Sequence, residues 1–487
     1  MPRNAAPAPA GAVLEDLWRA LDLPSAALER VEFTGHEPAL PCSFAVGTAL
    51  QAAVGAAALG AAVVGAARAG AEVGAARAGA GSHGPRVQVA MADVIAECAG
   101  RFALDGRVPD PWDKLSGLYR CGADDTGWVR VHANFAHHRD AVLRLLGLPA
   151  GPGTERAALA AALRGRKAED FETAATAHGG VVAAVRDPAA WQAHPQAAAV
   201  AALPLVDLQP LGAAPARPWP ATTGTPTGTQ PLQGLRVLDL TRVLAGPVAG
   251  RTLAAYGAEV MLVNGPGLPN IENIADTSRG KLSAHIDLRS AAGRDTLRDL
   301  VRSCDVFLQG YRPGALEALG FGPAALAALR PGIVCVSLSA YGHEGPWSAR
   351  RGFDSLVQSA TGLNVLEAAA FGQAEPRALP LQALDYGAAF LLAFGASAAL
   401  LRQRQHGGSW LVRVALARVG HWLQGLGRVA GGPLAPKPDL DGALEEEPSG
   451  FGALRAAPHA ARFDGARCRW RRPSMPPGTH AAQWPAR

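Results

Sequence analysis

Between positions 235 and 339, short apolar runs rich in branched residues alternate with stretches of helical spacing. The runs are 235–240 (LRVLDL), 259–263 (EVMLV), 306–309 and 333–339; the helical stretches include 251–256, 291–303 and 315–329. Strands alternating with helices predict βαβ units and a parallel sheet covered on both faces. Before residue 212 the pattern differs: strands are predicted at 128–133 (WVRVHA) and 181–185, and helices at 137–146 and 155–163, a small α+β unit. Residues 40–67 hold no charge at all. That run is long enough to span a bilayer, yet it is mostly Ala and Gly, so a buried Ala-rich helix is expected and no membrane partner.

Composition sharpens this picture at three places. A tandem GAARAGAEV/GAARAGAG lies within 65–81 and predicts an extended helix or a surface loop. The Pro-, Gly- and Thr-rich stretch APARPWPATTGTPTGTQ marks a linker at 213–230. Beyond 431, Pro, Gly, Ala and Arg dominate without apolar period, which predicts an irregular extension over 431–487. With 49% hydrophobic and 18% charged residues, the chain of 487 residues has ample material for several cores. Its 46 basic and 41 acidic residues leave only +5, too small and too dispersed an excess to argue for nucleic acid. Six cysteines, none in a CxxC pair, read as reduced thiols, and the N-terminus has no apolar signal core; a cytoplasmic location is expected.

The chain also repeats itself. Residues 44–97 (FAVGTALQAAVGAAAL, later VQVAMADVIAE) and 384–422 (LDYGAAFLLAFGASAAL, later WLVRVALARVGHW) share an apolar helix followed by a strand turning into a helix. Gly47 and Gly55 align with Gly387 and Gly395, which sets Asp385 opposite Ala45. Only the second copy has a carboxylate at the mouth of its helix. An Asp there commonly caps the helix. In PLQALDYGAAF, however, a carboxylate among apolar neighbours must be paired, hydrogen-bonded or functional, and the residues leave those open.

The run QGLRVLDLTRVLAGPVAGRTLAAYGAE, with SRGKLSAHIDL, DVFLQGYRPGALEALGFG, SLSAYGHEGPW, GFDSL and ALDYGAAF in order after it, resembles the large domain of the class III CoA-transferases, the CaiB/BaiF family, over about 232–429. Residues 40–211 resemble a second, partial copy, ending in VDLQPLG. The resemblance implies an α/β fold with a Rossmann-like parallel-sheet large domain plus a smaller α+β domain, assembled as a homodimer. The order is unusual, with the small-domain match in front. The expected division is 1–104, a partial family repeat with the Ala-rich helix; 105–212, the small α+β domain; 213–230, linker; 231–430, the CoA-binding large domain; and 431–487, the extension.

By the family pattern, Asp385 is the nucleophile, attacking an acyl-CoA thioester to form a mixed anhydride before CoA passes to an incoming carboxylic acid. Backbone N–H groups near Tyr386 and Gly387 are expected to stabilise the oxyanion. The turn Arg242, Val243, Ala245, Gly246 and Pro247 is the implied CoA cradle. Arg279, Lys281, Arg312 and Arg351 match cations placed near the CoA phosphates. CoA enters as substrate, with no cofactor held permanently. Asn264 and Gly265 depart from the family's usual residues after the second strand, and Phe353 stands where the racemase branch has His, which disfavours two-base proton transfer. His132, His137 and His138 suggest no metal site, because adjacent residues on a helix point about 100° apart. Ser337, Ser339 and Tyr341 follow a strand near the family's cleft. The sequence therefore predicts a CoA-transferase, with an acyl-CoA racemase or isomerase and a non-catalytic CoA-binding member as rival readings.

Overall fold

The computed structural model describes residues 7–70, 84–219 and 228–486. Most of the tandem duplication at 65–81 and the middle of the linker, 220–227, lie outside the described residues.

A seven-stranded sheet organises the chain. In spatial order its strands are Lys281–His285, Glu259–Asn264, Arg236–Leu240, Val306–Gln309, Val334–Ser339, Ser409–Ala415 and Asp207–Gly212. The first six are parallel, as the alternation of strands and helices predicts, and the seventh is antiparallel. The strand Arg236–Leu240 is fully buried, and from it the chain first fills one side of the sheet and then the other. The order thus reverses between Arg236–Leu240 and Val306–Gln309, where loops diverge and leave a crevice at the strand ends.

Three expectations need correction. Residues 207–212, grouped on sequence with the small domain, add the antiparallel edge to the large sheet, where Asp207 accepts from Arg413 Nε at 2.8 Å. Residues 431–487 are not merely irregular. Strand Gly452–Ala456 pairs with Glu445–Ser449 and Phe102–Leu104, and Ala461–Phe463 pairs with Val87–Ala90 and Ala466–Arg467. These ladders are short and their partners lie at the other end of the chain, so no local periodicity announces them. Finally, the helix expected over 315–329 is broken: Gly320 takes φ of 84° and ends one turn, and Pro323 starts the helix Pro323–Leu329.

The core centres on two long apolar helices, Val46–Arg68 and Ala383–His406. Both are long and apolar enough to cross a membrane, yet 89% and 100% of their most apolar windows are buried inside the fold. Small residues let them approach closely. A Cβ added at Gly60 would stand 3.1 Å from Ser397 Cβ. These are the helices of the internal repeat, and the likeness extends to the strands that follow. Val87–Ala90 runs parallel to Val31–Thr34 and antiparallel to Ala461–Phe463, as Ser409–Ala415 runs parallel to Val334–Ser339 and antiparallel to Asp207–Gly212.

A three-stranded antiparallel sheet, Gly117–Cys121, Gly127–Val131 and Val182–Ala184, with helices Ala136–Leu145, Arg156–Leu163 and Ala168–Ala177, forms a separate small core. It stands beside the carboxyl ends of the large sheet's strands and contributes side chains to the crevice.

Candidate active site

Asp385 sits in the first turn of Ala383–His406. The preceding Leu381 has φ of 63°, and Gln382, the N-cap, gives the helix no side-chain acceptor. The cap comes instead from Asp354, whose Oδ2 accepts the Leu384 amide at 2.8 Å and the Asp385 amide at 3.0 Å. Asp385 therefore does not cap its own helix. Among the described residues no group donates a hydrogen bond to its carboxyl, which lines a cleft of about 370 Å³ at the reversal of strand order.

Burial raises the Asp385 carboxyl well above the usual carboxylate range, and the Asp354 charge raises it further. Burial also lifts Asp354, to about 6, against the Asp385 and Leu384 amides, the Gln358 amide and Arg130, which hold it down. Three donors favour charge on Asp354, so Asp385 is the member that keeps its proton longer.

Several of the residues singled out on sequence meet here. Arg242, Val243 and Ala245 line the cleft from the loop after Arg236–Leu240, Arg312 from the loop after Val306–Gln309, and Arg351 and Phe353 from the segment leading to Asp354. Val243 holds φ of 75°, a strained setting for a branched residue, pinned by Asn273 Nδ2, which donates to its carbonyl at 2.6 Å. Arg242, Arg312 and Arg351 have no acidic partner among the described residues, while the neighbouring Arg350 is tied to Glu172. Asp385 is the only carboxylate among the lining residues, so the cleft is strongly cationic. Ser339 also lines it, whereas Ser337 accepts from Gln309 Nε2 and Tyr341 is buried against Trp347.

Others lie elsewhere. Arg279 is 2% exposed and committed to Asp276, Glu447 and the Ala457 carbonyl, with its guanidinium stacked on Trp470. Lys281 is fully buried, donating to Asp239 at 2.8 Å and to the Pro247 carbonyl at 2.7 Å. Neither cation lines the cleft. Gly246 and Pro247 are not in a turn but in the opening of helix Ala245–Ala255; a Cβ at Gly246 would lie 2.4 Å from Thr241 Cβ. The Tyr386 amide donates to the Gln382 carbonyl and its ring is buried, so that amide is not free for an oxyanion; a Cβ on Gly387 would face Val419.

Sequence reading missed two contributions. Asp354 was visible within GFDSL, where the argument applied to Asp385, a carboxylate in an apolar setting, holds equally well. The other is the wall that the small core supplies: Phe135, His137 and His138 line the cleft, and His132 stacks flat on Phe353. Burial lowers both His132 and His138 to about 3, with Arg130 pressing on the first and His137 and Arg351 on the second. Nothing in the local sequence places these imidazoles opposite a loop some two hundred residues away. Beside the cleft, and sharing Leu240, Leu268, Tyr311 and Ala315 with it, opens an apolar recess of about 210 Å³ rimmed by Leu288 and Arg289. Asn264 turns away from it, accepting from Asn270 Nδ2 at 3.1 Å.

A carboxylate at the switch point of a parallel sheet thus shares the cleft with arginines that have no acidic partner among the described residues. The family model described as CoA-transferase family III matches residues 232–439. Curated proteins are similar to parts of this chain as well. A probable fatty acyl-CoA transferase of Mycobacterium tuberculosis, Rv3272, is 35% identical over 214 residues, covering 41% of this chain and 54% of that protein. The mouse succinyl-CoA:glutarate CoA-transferase is 34% identical over 195 residues, 37% of this chain and 44% of its own. The succinyl-CoA–L-malate CoA-transferase alpha subunit of Chloroflexus aurantiacus is 31% identical over 279 residues, 53% of this chain and 62% of its own. A crystal structure of Rv3272 aligns with a TM-score of 0.38 at 35% identity, over 40% of this chain and 56% of that one. The chain thus spans about half the length of these curated relatives.

Proposed function

We propose that the protein is a CoA-transferase that moves CoA between an acyl-CoA and a carboxylic acid through a covalent intermediate on Asp385. The observation that carries this reading is the Asp385 carboxyl, free of hydrogen-bond donors, at the head of a buried helix in the cationic cleft. The match of 232–439 to CoA-transferase family III supports it.

In this reading Arg242, Arg312 and Arg351 bind the CoA phosphates, and the recess beside Tyr311 and Leu288 takes the adenine, whose flat aromatic faces fit apolar walls. The thioester then lies against Asp385. Its carboxylate bonds to the thioester carbonyl carbon, the C–S bond breaks with its electron pair on sulfur, and a mixed anhydride remains. The thiolate attacks the aspartyl carbonyl and releases the first acid; the second acid attacks the resulting aspartyl thioester, and the thiolate finally takes the new acyl group. Asp385 is regenerated. A carboxylate suits this two-way exchange because an anhydride is about as reactive as a thioester. Phe353, Phe135 and Leu416 give the acyl side an apolar wall suited to a short or mid-sized acid.

A second reading has one observation in its favour: His138 lines the same cleft as Asp385 with a buried Nδ1 that has no partner, a pairing that suits proton exchange at the α-carbon of an acyl-CoA. Intact-protein mass spectrometry with hydroxylamine, after incubation with acetyl-, succinyl- and octanoyl-CoA, separates the readings. A hydroxamate on Asp385 in the wild type and none in Asp385→Asn is expected. Solvent-deuterium incorporation without a hydroxamate would establish the second reading, and CoA binding with neither would leave a binding protein.

A further inference from the structure

Asp354 opens the helix Asp354–Ala360, is fully buried, and reaches the start of the helix that carries Asp385. Its two oxygens have different tasks. Oδ2 takes both the Leu384 and Asp385 amides, and Oδ1 takes Gln358 Nε2. Gln358 cannot turn its amide over, because its Oε1 accepts from Asn364 Nδ2 at 3.1 Å and the Leu379 amide at 2.9 Å. Asn364 is itself fixed, accepting from Ser359 Oγ and donating to the Arg377 carbonyl. A chain of hydrogen bonds thus ends on Asp354 and orients it from both sides.

The charged and titratable surroundings are few. Arg130, from strand Gly127–Val131, is the cation whose field reaches Asp354; His132 stacks on the adjacent Phe353 and is held neutral; Arg351 turns toward His138 Nε2 at 3.4 Å. The remaining neighbour is Asp385. Two buried carboxyl groups, one of which accepts the backbone amide of the other's residue, resist double ionisation.

We propose that Asp354 is a positioning residue for the nucleophile: it fixes the helical turn that aims Asp385 into the cleft, and its negative charge makes the Asp385 anion more basic and more reactive. The inference rests on Asp385 being the nucleophile. Asp385 first gives its resting proton to solvent; an oxygen of the anion then bonds to the thioester carbon and the C–S bond breaks with its electron pair on sulfur, leaving the CoA thiolate. Asp354 repels the Asp385 anion until anhydride formation removes its charge, so the repulsion is released as the intermediate forms.

Asp354→Asn keeps an acceptor for the two amides and removes the charge. The measurement is the pH profile of hydroxylamine-trapped CoA release from acetyl-, succinyl- and octanoyl-CoA. Expected are a plateau at least about tenfold lower and an acid limb whose midpoint moves down by about one pH unit or more, because the nucleophile ionises more easily without its neighbour. A lower plateau with an unmoved midpoint would reduce Asp354 to a structural cap and overturn the proposal. If Asp354→Asn does not fold by circular dichroism, carboxyl infrared titration of wild type against Asp385→Asn decides, with no turnover required. The carboxyl missing from the variant should be one that ionises well above the ordinary carboxylate range; a missing carboxyl that ionises at the ordinary value, near about pH 4, would overturn the proposal. Failure of the nucleophile reading itself shows separately, as wild type giving no trapped product with any of the three thioesters.

Discussion

Phe353 lies flat against His132, ring centroids 3.9 Å apart and planes within 6° of parallel. One ring belongs to the segment before Asp354 and the other to the small core, so the stacked pair, with Phe135 and His138 around Phe353, joins the two units at the cleft wall. Replacing Phe353 by Ala should remove that wall. The expected result is a rise of about five- to tenfold in KM for the acid with a smaller change in kcat, and a stability loss of about 1–3 kcal/mol, on the scale of a partly buried aromatic and its stacking partner. Steady-state kinetics with a thermal melt checks both.

Arginines in the cleft and cations beneath it should respond in opposite ways. Arg312→Ala and Arg351→Ala remove charges that have no acidic partner among the described residues, so each should raise KM for acyl-CoA by about five- to fiftyfold, weaken its salt dependence and leave the melting temperature nearly unchanged. Lys281→Met leaves Asp239 buried without its cation and should cost about 3–5 kcal/mol of stability. A salt-dependent KM effect in Lys281→Met without destabilisation would return Lys281 to the CoA site.

Two groups should contribute stability that is lost on acidification, against Asp354 and Asp385, whose raised carboxyls act in the opposite sense. His132 is lowered to about 3 by burial and Arg130, so below about pH 6.5 the unfolded chain takes up a proton that the folded state refuses. That contribution is fully present above about pH 6.5 and is lost at about 1.4 kcal/mol per pH unit as the pH falls. Chemical denaturation of His132→Phe should show a flatter dependence between about pH 6.5 and pH 4.5 than wild type.

The second group is Glu97. Burial would raise its carboxyl, but His459, Arg251 and the Ala460 amide together outweigh burial and hold it at about 2. Its stabilisation is present above the unfolded value near 4.5 and disappears as the pH drops toward about 2, amounting to about 3 kcal/mol. Glu97→Gln should lower stability at neutral pH and lose this second contribution. The network joins an N-terminal helix to Arg251 of the large sheet's first helix and to His459 of the C-terminal segment, so proteolysis of that segment should accelerate in the same variant.

All six cysteines are buried, and burial pushes the Cys335 thiol up to about 12 and Cys121 up to about 11. Native protein should therefore react with a thiol reagent far more slowly than unfolded protein. Free CoA set loose by hydroxylamine trapping of the proposed intermediate could then be followed with such a reagent, and prompt labelling of the native chain would contradict the burial.

What the sequence by itself determined was local. Strand runs such as 235–240 and 306–309 carry their own periodicity and end in loops rich in Gly, Pro and Arg, so the parallel sheet, the cleft arginines Arg242 and Arg312 and the odd carboxylate at 385 were legible from residues that lie close together in the chain. The repeat was legible for the same reason, since Gly47 and Gly387 each begin an apolar helix of matching spacing. What only the tertiary structure decided was which charges are spent. Arg279 and Lys281 read like phosphate ligands until Asp276, Glu447 and Asp239 are seen to hold them; Asp354 becomes the cap of a helix thirty residues further on. The segment after 431 becomes strand only because Phe102–Leu104 and Val87–Ala90 offer it open edges. Periodicity is a property of neighbours in sequence, whereas pairing of a buried charge or an unpaired strand edge depends on groups that folding alone brings within hydrogen-bond reach.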